Sequence, residues 1–315
     1  FADLGFVVVD EQHRFGVEQR DALREKAAEG RPHVLVMTAT PIPRTVAMTV
    51  YGDLDVVSLT QLPSGRAGVS THVVPALEKP HFLARAWERV HEEVGKGRQA
   101  FVVCPRIGDN DDDSSASVLD VQTRLQKEVL PDLRVAPLHG RMAPEEKDEA
   151  MRAFAAGDID VLVSTTVIEV GVDVPNATTM VIMDADRFGV SQLHQLRGRV
   201  GRGDLPGLCL LVTEAAEGTP ARTRLDAVAS TTDGFELSRV DLEMRREGDV
   251  LGDAQSGARS SLRMLTLVRD EELIGEAREE ASRQMAEDPD LTYAPLAEAL
   301  DTLLPEERAE SLDKG

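Results

Sequence analysis

The chain has 315 residues, 29% of them charged, and a formal net charge of −21. That length provides for two or three domains of about 100–200 residues each, and no apolar run approaches the ~20 residues that a membrane-spanning helix needs. The two cysteines, Cys104 and Cys209, lie in apolar strand-like runs without CxxC or Cys/His spacing, so neither a zinc centre nor a disulfide framework is signalled, and a reduced, cytoplasmic compartment fits.

From the amino end, FVVVD (Phe6 to Asp10) reads as a strand close to the first residue, Phe1, as expected of a piece of a longer protein. A carboxylate pair at the carboxyl end of a buried parallel strand is where nucleoside-triphosphate motors hold Mg²⁺ and activate the attacking water. Asp10 and Glu11 stand there, followed by Gln12 and His13; Asp10 would hold the ion and Glu11 would polarise the water. A helix is expected over VEQRDALREKAAEG and a strand over HVLVMTA, after which Thr38 and Thr40 offer short hydroxyls to relay the state of a nucleotide. LPSGRAG (Leu62 to Gly68) has linker composition and marks a domain boundary.

Beyond it, apolar runs alternate with helix-period segments, which argues for βαβ units and a complete doubly wound parallel sheet of about six strands. GDNDDDSSAS (Gly108 to Ser117) reads as a solvated acidic loop. His139, in LHGRM, follows a buried strand and is either a packed turn residue or a functional one. In STTVIEVGVDVPNA, Ser164, Thr165 and Thr166 deliver consecutive hydroxyls that can position a nucleic-acid backbone, and Gly171 and Asp173 follow in a loop where a carboxylate can accept from a ribose hydroxyl. In SQLHQLRGRVGRG, a continuous helix would put Gln195, Arg199 and Arg202 on one face, with Gly198 and Gly201 leaving room for close approach, and guanidinium groups suit the charge on a transferring phosphoryl group. From Thr219 onward strands stop, and a helical hairpin, a loop and a helical tail are expected. The negative charge opposes a nucleic-acid partner, but its distribution matters: residues 269–315 hold 15 acidic and 5 basic residues, whereas residues 191–268 hold 11 and 10.

The set DEQH, TATP, STTVIEVGVD and QLHQLRGRVGR, in this order, resembles the superfamily-two helicases and translocases. Within them, DEQHRFGV, MTATPIPRT, LHGRM and DGFELSRVDLEMRREGDVLGDAQSG resemble the RecG family of ATP-dependent DNA helicases. The resemblance implies an α/β fold of RecA-like parallel sheets: a partial first motor domain (1–65), a complete second motor domain (66–216), then a translocation hairpin and acidic helical tail (217–315). It implies ATP and Mg²⁺ as cofactors, with Asp10 and Glu11 in the second helicase motif, Thr38 to Thr40 in the third, Gly171 and Asp173 in the fifth, and Gln195, Arg199 and Arg202 in the sixth, the arginines acting as fingers. Arg224 and Gln255 match residues that couple hydrolysis to movement on duplex DNA. Branched double-stranded DNA is the implied partner, with a single-stranded DNA-binding protein as a further one, and a monomer in the bacterial cytoplasm at the nucleoid is the implied state. No GxxxxGK[ST] occurs in the chain, so the phosphate-binding loop and the family's wedge domain are expected outside it. Arg245-Arg246-Glu247-Gly248 departs from the family's Arg-Gly-Pro-Gly-like turn by losing a glycine, which restricts positive φ. Two other readings are a transcription-repair coupling translocase, against which Gln12-His13 argues, and a non-catalytic DNA-binding module.

Overall fold

The computed structural model describes residues 4–10, 33–39, 57–59, 67–105, 111–165, 174–244 and 270–303. The chain divides into two compact units, Ser58–Met244 on one hand and Phe1–Val57 with Arg245–Gly315 on the other.

The Ser58–Met244 unit is built on a six-stranded sheet. Its strands are β3 (Val69–Pro75), β4 (Gln99–Val103), β5 (Val135–Leu138), β6 (Val161–Ser164), β7 (Ala177–Ile182) and β8 (Gly207–Thr213), in the order β3-β8-β7-β4-β6-β5. Every pairing is parallel. β4, β6 and β7 are buried along their whole length, which is why their sequences are near-continuous apolar runs and do not alternate. Successive residues of β4 serve different cores: Phe101 and Val103 pack with Phe154 on one face, Ala100 and Val102 with Trp87 and Val90 on the other. Helices accordingly cover both faces. On the second lie α1 (Pro80–Gly95) and α2 (Asp111–Arg124); on the first lie α3 (Pro144–Ala156), α4 (Val190–Arg197), α5 (Pro220–Ser230) and α6 (Gly234–Met244).

Buried polar groups pin this unit at two places. The Gln99 amide, at the amino end of β4, donates to Phe154 O (2.5 Å) and Ile159 O (2.7 Å), and accepts from Asn176 Nδ2 (3.2 Å). On α1 the buried Glu93 carboxylate meets Arg89 (2.9 Å), Lys96 (2.9 Å) and Arg98. Burial opposes its charge, but hydrogen bonds from Lys96 and Arg98 outweigh that and hold the carboxyl below the usual carboxylate range.

The expected acidic loop over 108–117 is corrected: α2 begins at Asp111. Asp111 to Asp113 thus belong to a helix and not to a loop. In the other unit, β1 (Phe6–Asp10) pairs in parallel with β2 (His33–Met37), and two helices, α7 (Glu271–Glu287) and α8 (Ala294–Leu303), are described. No helix among the described residues is long and apolar enough to cross a membrane.

The Phe101 and Phe154 rings lie 4.9 Å apart in a fully packed core. Phe154→Ala is therefore expected to destabilise the Ser58–Met244 unit by about 3–5 kcal/mol, read from urea unfolding, whereas Leu77→Ala, at a side chain 65% exposed, leaves the midpoint where it was.

Candidate nucleotide and nucleic-acid site

Parallel pairing puts the carboxyl ends of neighbouring strands side by side, and ligands of open α/β sheets bind outside those ends. In the β1/β2 pair, Asp10 is exposed and sits opposite Met37, and Thr38 follows directly. A carboxylate and a hydroxyl-bearing residue thus stand at one edge. Glu11, His13 and Thr40 lie outside the described residues.

In the six-stranded sheet, Ser164 of β6 is in register with Leu138 of β5 and Val103 of β4, so three strand ends come abreast. Cys104 N donates to Ser164 O (2.7 Å) and Met183 N to Val103 O (2.8 Å), which extends the row to β7. His139 and Thr165 are the next residues along this edge. His139 Nδ1 and Ser164 Oγ are buried with no hydrogen-bond partner among the described residues. Each such atom costs about 1–3 kcal/mol. Both belong to adjacent strand ends, those of β5 and β6. Burial, then the charges of Lys147 and Arg141, lower the His139 pKa and keep its imidazole neutral. Burial, aided by Asp184, pushes the Cys104 thiol up to about 12, so that sulfur is an inert apolar neighbour. Thr166, Gly171 and Asp173 lie outside the described residues.

The segment after β7 is held by its own polar contacts. Asp184 adopts φ 45° and ψ 50°, a left-handed conformation that aspartate tolerates better than most residues. One 3₁₀ turn, Ala185–Arg187, follows, and the Asp186 carboxylate accepts from Thr213 Oγ1 (2.5 Å) at the end of β8. α4 then starts at Val190, where Gln192 Oε1 accepts from Gly189 N (3.2 Å).

α4 ends sooner than a continuous helix would. Gly198 N still donates to His194 O (3.0 Å), but Arg199 N reaches Leu196 O (2.9 Å) and Val200 N reaches Arg197 O (3.3 Å), so the last turn tightens to three-residue spacing. Gly201 follows at φ +67°. The expectation of one helical face for Gln195, Arg199 and Arg202 is thereby corrected: Gln195 is on α4, Arg199 is in the tightened turn, and Arg202 lies past the left-handed residue. Its Nε folds back to donate to Gly198 O (3.0 Å). The room left by Gly201 is also used internally, because a Cβ there would stand 2.8 Å from Val69 Cγ2 on β3.

A third arginine of the segment, absent from the expected site, is buried. Arg197 Nη1 donates to Val228 O and Thr231 O, both at 2.7 Å, at the carboxyl end of α5, and Nη2 meets His194 Nδ1 (2.8 Å). Its position was readable in part: Val190, Leu193 and Arg197 recur at spacings of three and four, which places the guanidinium on the apolar stripe of α4. Burial first, then the Arg197 charge, lowers the His194 pKa to about 4. Neutral His194 can accept from Arg197; protonated, it cannot. Arg224 of α5 donates through Nη2 to Asp186 O (2.5 Å). Gln255 lies outside the described residues.

Comparisons with known proteins bear on this geometry. Residues 82–204 match the helicase conserved C-terminal domain, and residues 231–313 match the C-terminal part of domain 3 of the ATP-dependent DNA helicase RecG. The ATP-dependent DNA helicase RecG of Mycobacterium bovis is 58% identical over 287 residues, 89% of this chain and 39% of that protein. Those of Mycobacterium leprae and Bacillus subtilis are 54% and 46% identical, over 100% and 91% of this chain and 44% and 41% of theirs. The chain spans about two fifths of the length of these relatives. A structure described as RecG bound to a three-way DNA junction superposes with a TM-score of 0.64 at 40% identity, over 87% of this chain and 34% of that one. Mss116p bound to single-stranded RNA and AMP-PNP shares the fold at a TM-score of 0.52 and 15% identity, over 79% of this chain and 53% of that one. The fold and the matched C-terminal domain are those of a helicase. Within that class, the chain belongs to the RecG family.

The His194–Arg197 pair predicts an acid sensitivity with a definite sign. The unfolded imidazole titrates near 6.5 and the folded one near 4, so as pH falls through that window the unfolded chain takes up the proton first and stability is lost; above about 6.5 the contribution is fully present. Chemical denaturation at pH 7, 6, 5 and 4 should show wild-type stability falling over that range, and His194→Gln should flatten that part of the dependence.

Proposed function

We propose that this chain forms part of the motor of an ATP-dependent DNA helicase that remodels branched duplex DNA, such as stalled replication forks and Holliday junctions. The observation that carries the reading is the turn Gly198–Arg202 at the end of the amphipathic helix α4, which carries the half-buried Arg199 and the exposed Arg202. Planar guanidinium groups held in a turn can offset the charge that develops on a transferring γ-phosphoryl group. Arg199 and Arg202 are assigned this role, with Gln195 beside them on α4 and with Gly171 and Asp173 on the ribose side.

Asp10 fits a Mg²⁺ ligand, being an exposed carboxylate at the carboxyl end of a parallel strand beside Thr38. Bound there with ATP, the ion would neutralise phosphate charge. Glu11 would orient the attacking water, and His13, Thr38 and Thr40 would register the nucleotide state. His139 and Thr165, at the ends of β5 and β6, are assigned to the DNA backbone together with Thr166, since hydroxyls and a neutral imidazole can meet phosphate oxygens without reading sequence. Arg224 and Gln255 are assigned to coupling. The name of the 40% identical neighbour, which couples RecG with a three-way junction, supports branched DNA as the substrate. The protein acts as a monomer in the bacterial cytoplasm at the nucleoid, with a single-stranded DNA-binding protein as a further partner.

Two measurements test this. In the full-length protein, Arg199→Ala should reduce DNA-stimulated ATP turnover by about 10³-fold or more, the range of a lost arginine finger, while ATP binding persists; unchanged turnover removes the finger assignment. The 315-residue chain alone, which has no GxxxxGK[ST] sequence, should show negligible ATP turnover and at most weak, salt-sensitive DNA binding. Turnover by this chain at the level of the full-length protein would contradict the division of labour proposed here.

A further inference from the structure

Arg197 is placed unlike its two neighbours in the arginine segment. Only 3% of it is exposed, and its fork closes on Val228 O, Thr231 O and His194 Nδ1. The first two are carbonyls at the carboxyl end of α5, where the last turn leaves acceptors unsatisfied and the helix dipole is negative. Arg197 therefore caps α5 from another helix. The same α5 is tied near its other end to the segment before α4, through Arg224 Nη2 and Asp186 O. The helix is thus bonded on both flanks of α4, by one arginine that leaves α4 and one that reaches back from α5.

The consequence concerns the turn that follows. Arg197 is the last residue of α4, and its own carbonyl accepts from Val200 N, inside the tightened turn that carries Arg199. With its side chain fixed to α5 and its carbonyl fixed to the turn, Arg197 sets where residues 198–202 emerge. We propose that Arg197 is a positioning residue for Arg199 and Arg202, acting through the carboxyl end of α5, so that the arginine turn and α5 hold their geometry as one piece. This rests on the phosphoryl-facing role proposed above for Arg199 and Arg202. Lysine cannot replace it, because a single ammonium lacks the planar fork that spans three separate acceptors.

The test uses the full-length protein with a three-way DNA junction and compares wild type with Arg197→Lys, Arg197→Gln and Arg98→Gln. Arg98 pairs with buried Glu93 on the opposite face of the sheet, so its loss reports instability without touching the turn. Both Arg197 variants should lower kcat for ATP about tenfold to a hundredfold, the penalty of misplacing reacting groups by about 1 Å. KM for ATP and the Kd for the junction should change by less than about threefold, well under the effect on kcat. Arg98→Gln should lower Tm while leaving kcat at the wild-type value. Wild-type kcat in a folded Arg197→Lys overturns the positioning role, and so does a kcat loss in Arg98→Gln matching that of Arg197→Lys at equal loss of Tm. If wild type itself shows no junction-stimulated turnover, it is the proposed helicase function that fails.

Discussion

Parallel pairing is the constraint on which the rest of the Ser58–Met244 unit depends. Because all six strands run the same way, their connections must cross over a face, helices cover both faces, and the central strands lose all contact with water. Every carboxyl end then falls on one edge. His139, Thr165, Cys104 and Asp184 come from distant parts of the chain, yet share that edge because their strands share a direction. Besides the Asp184 carboxylate, the polar groups there are uncharged: the His139 imidazole, the Ser164 and Thr165 hydroxyls, and the Cys104 thiol, whose pKa burial pushes up to about 12. Hydroxyls and a neutral imidazole can contact a nucleic-acid backbone without reading sequence.

Charges that leave this edge are managed in two different ways. Glu93 is buried against three cations, a network confined to α1 and its connection to β4. Arg197 is buried against carbonyl oxygens and a neutral histidine, so it joins separate elements. A buried charge with partners on another helix is costly to break and specifies one relative placement of the two helices. The acidity of the whole chain does not enter these sites, since much of it lies beyond residue 268.

Much of the sheet was legible in the sequence. The segments 69–74, 99–105, 160–165 and 207–213 each became a strand: short apolar runs bounded by polar residues can be buried as parallel strands, and VSTHVV, whose burial alternates, forms the edge strand β3. Strand order was not legible, since it depends on pairings between distant segments. The aspartate run before Val118 misled because local polarity reads as loop, yet polarity alone does not exclude a helix. Similarly, Gly198 and Gly201 were visible as glycines but not as the end of α4, and the close approach of Gly201 to Val69, 132 positions earlier, is a tertiary contact. Arg197 could not be told from Arg199 or Arg202 by residue type, and only the apolar stripe of α4 separates them. The family was legible from the motifs and their order, as the RecG matches bear out.

The central claim is that the turn after α4 presents Arg199 and Arg202 to a nucleotide. The most direct measurement is an experimental structure of the full-length protein with a three-way DNA junction and a non-hydrolysable ATP analogue. The account predicts both guanidinium groups within hydrogen-bond distance of the terminal phosphates, with Arg197 still on Val228 O and Thr231 O. A bound nucleotide whose phosphates contact neither Arg199 nor Arg202 would contradict it.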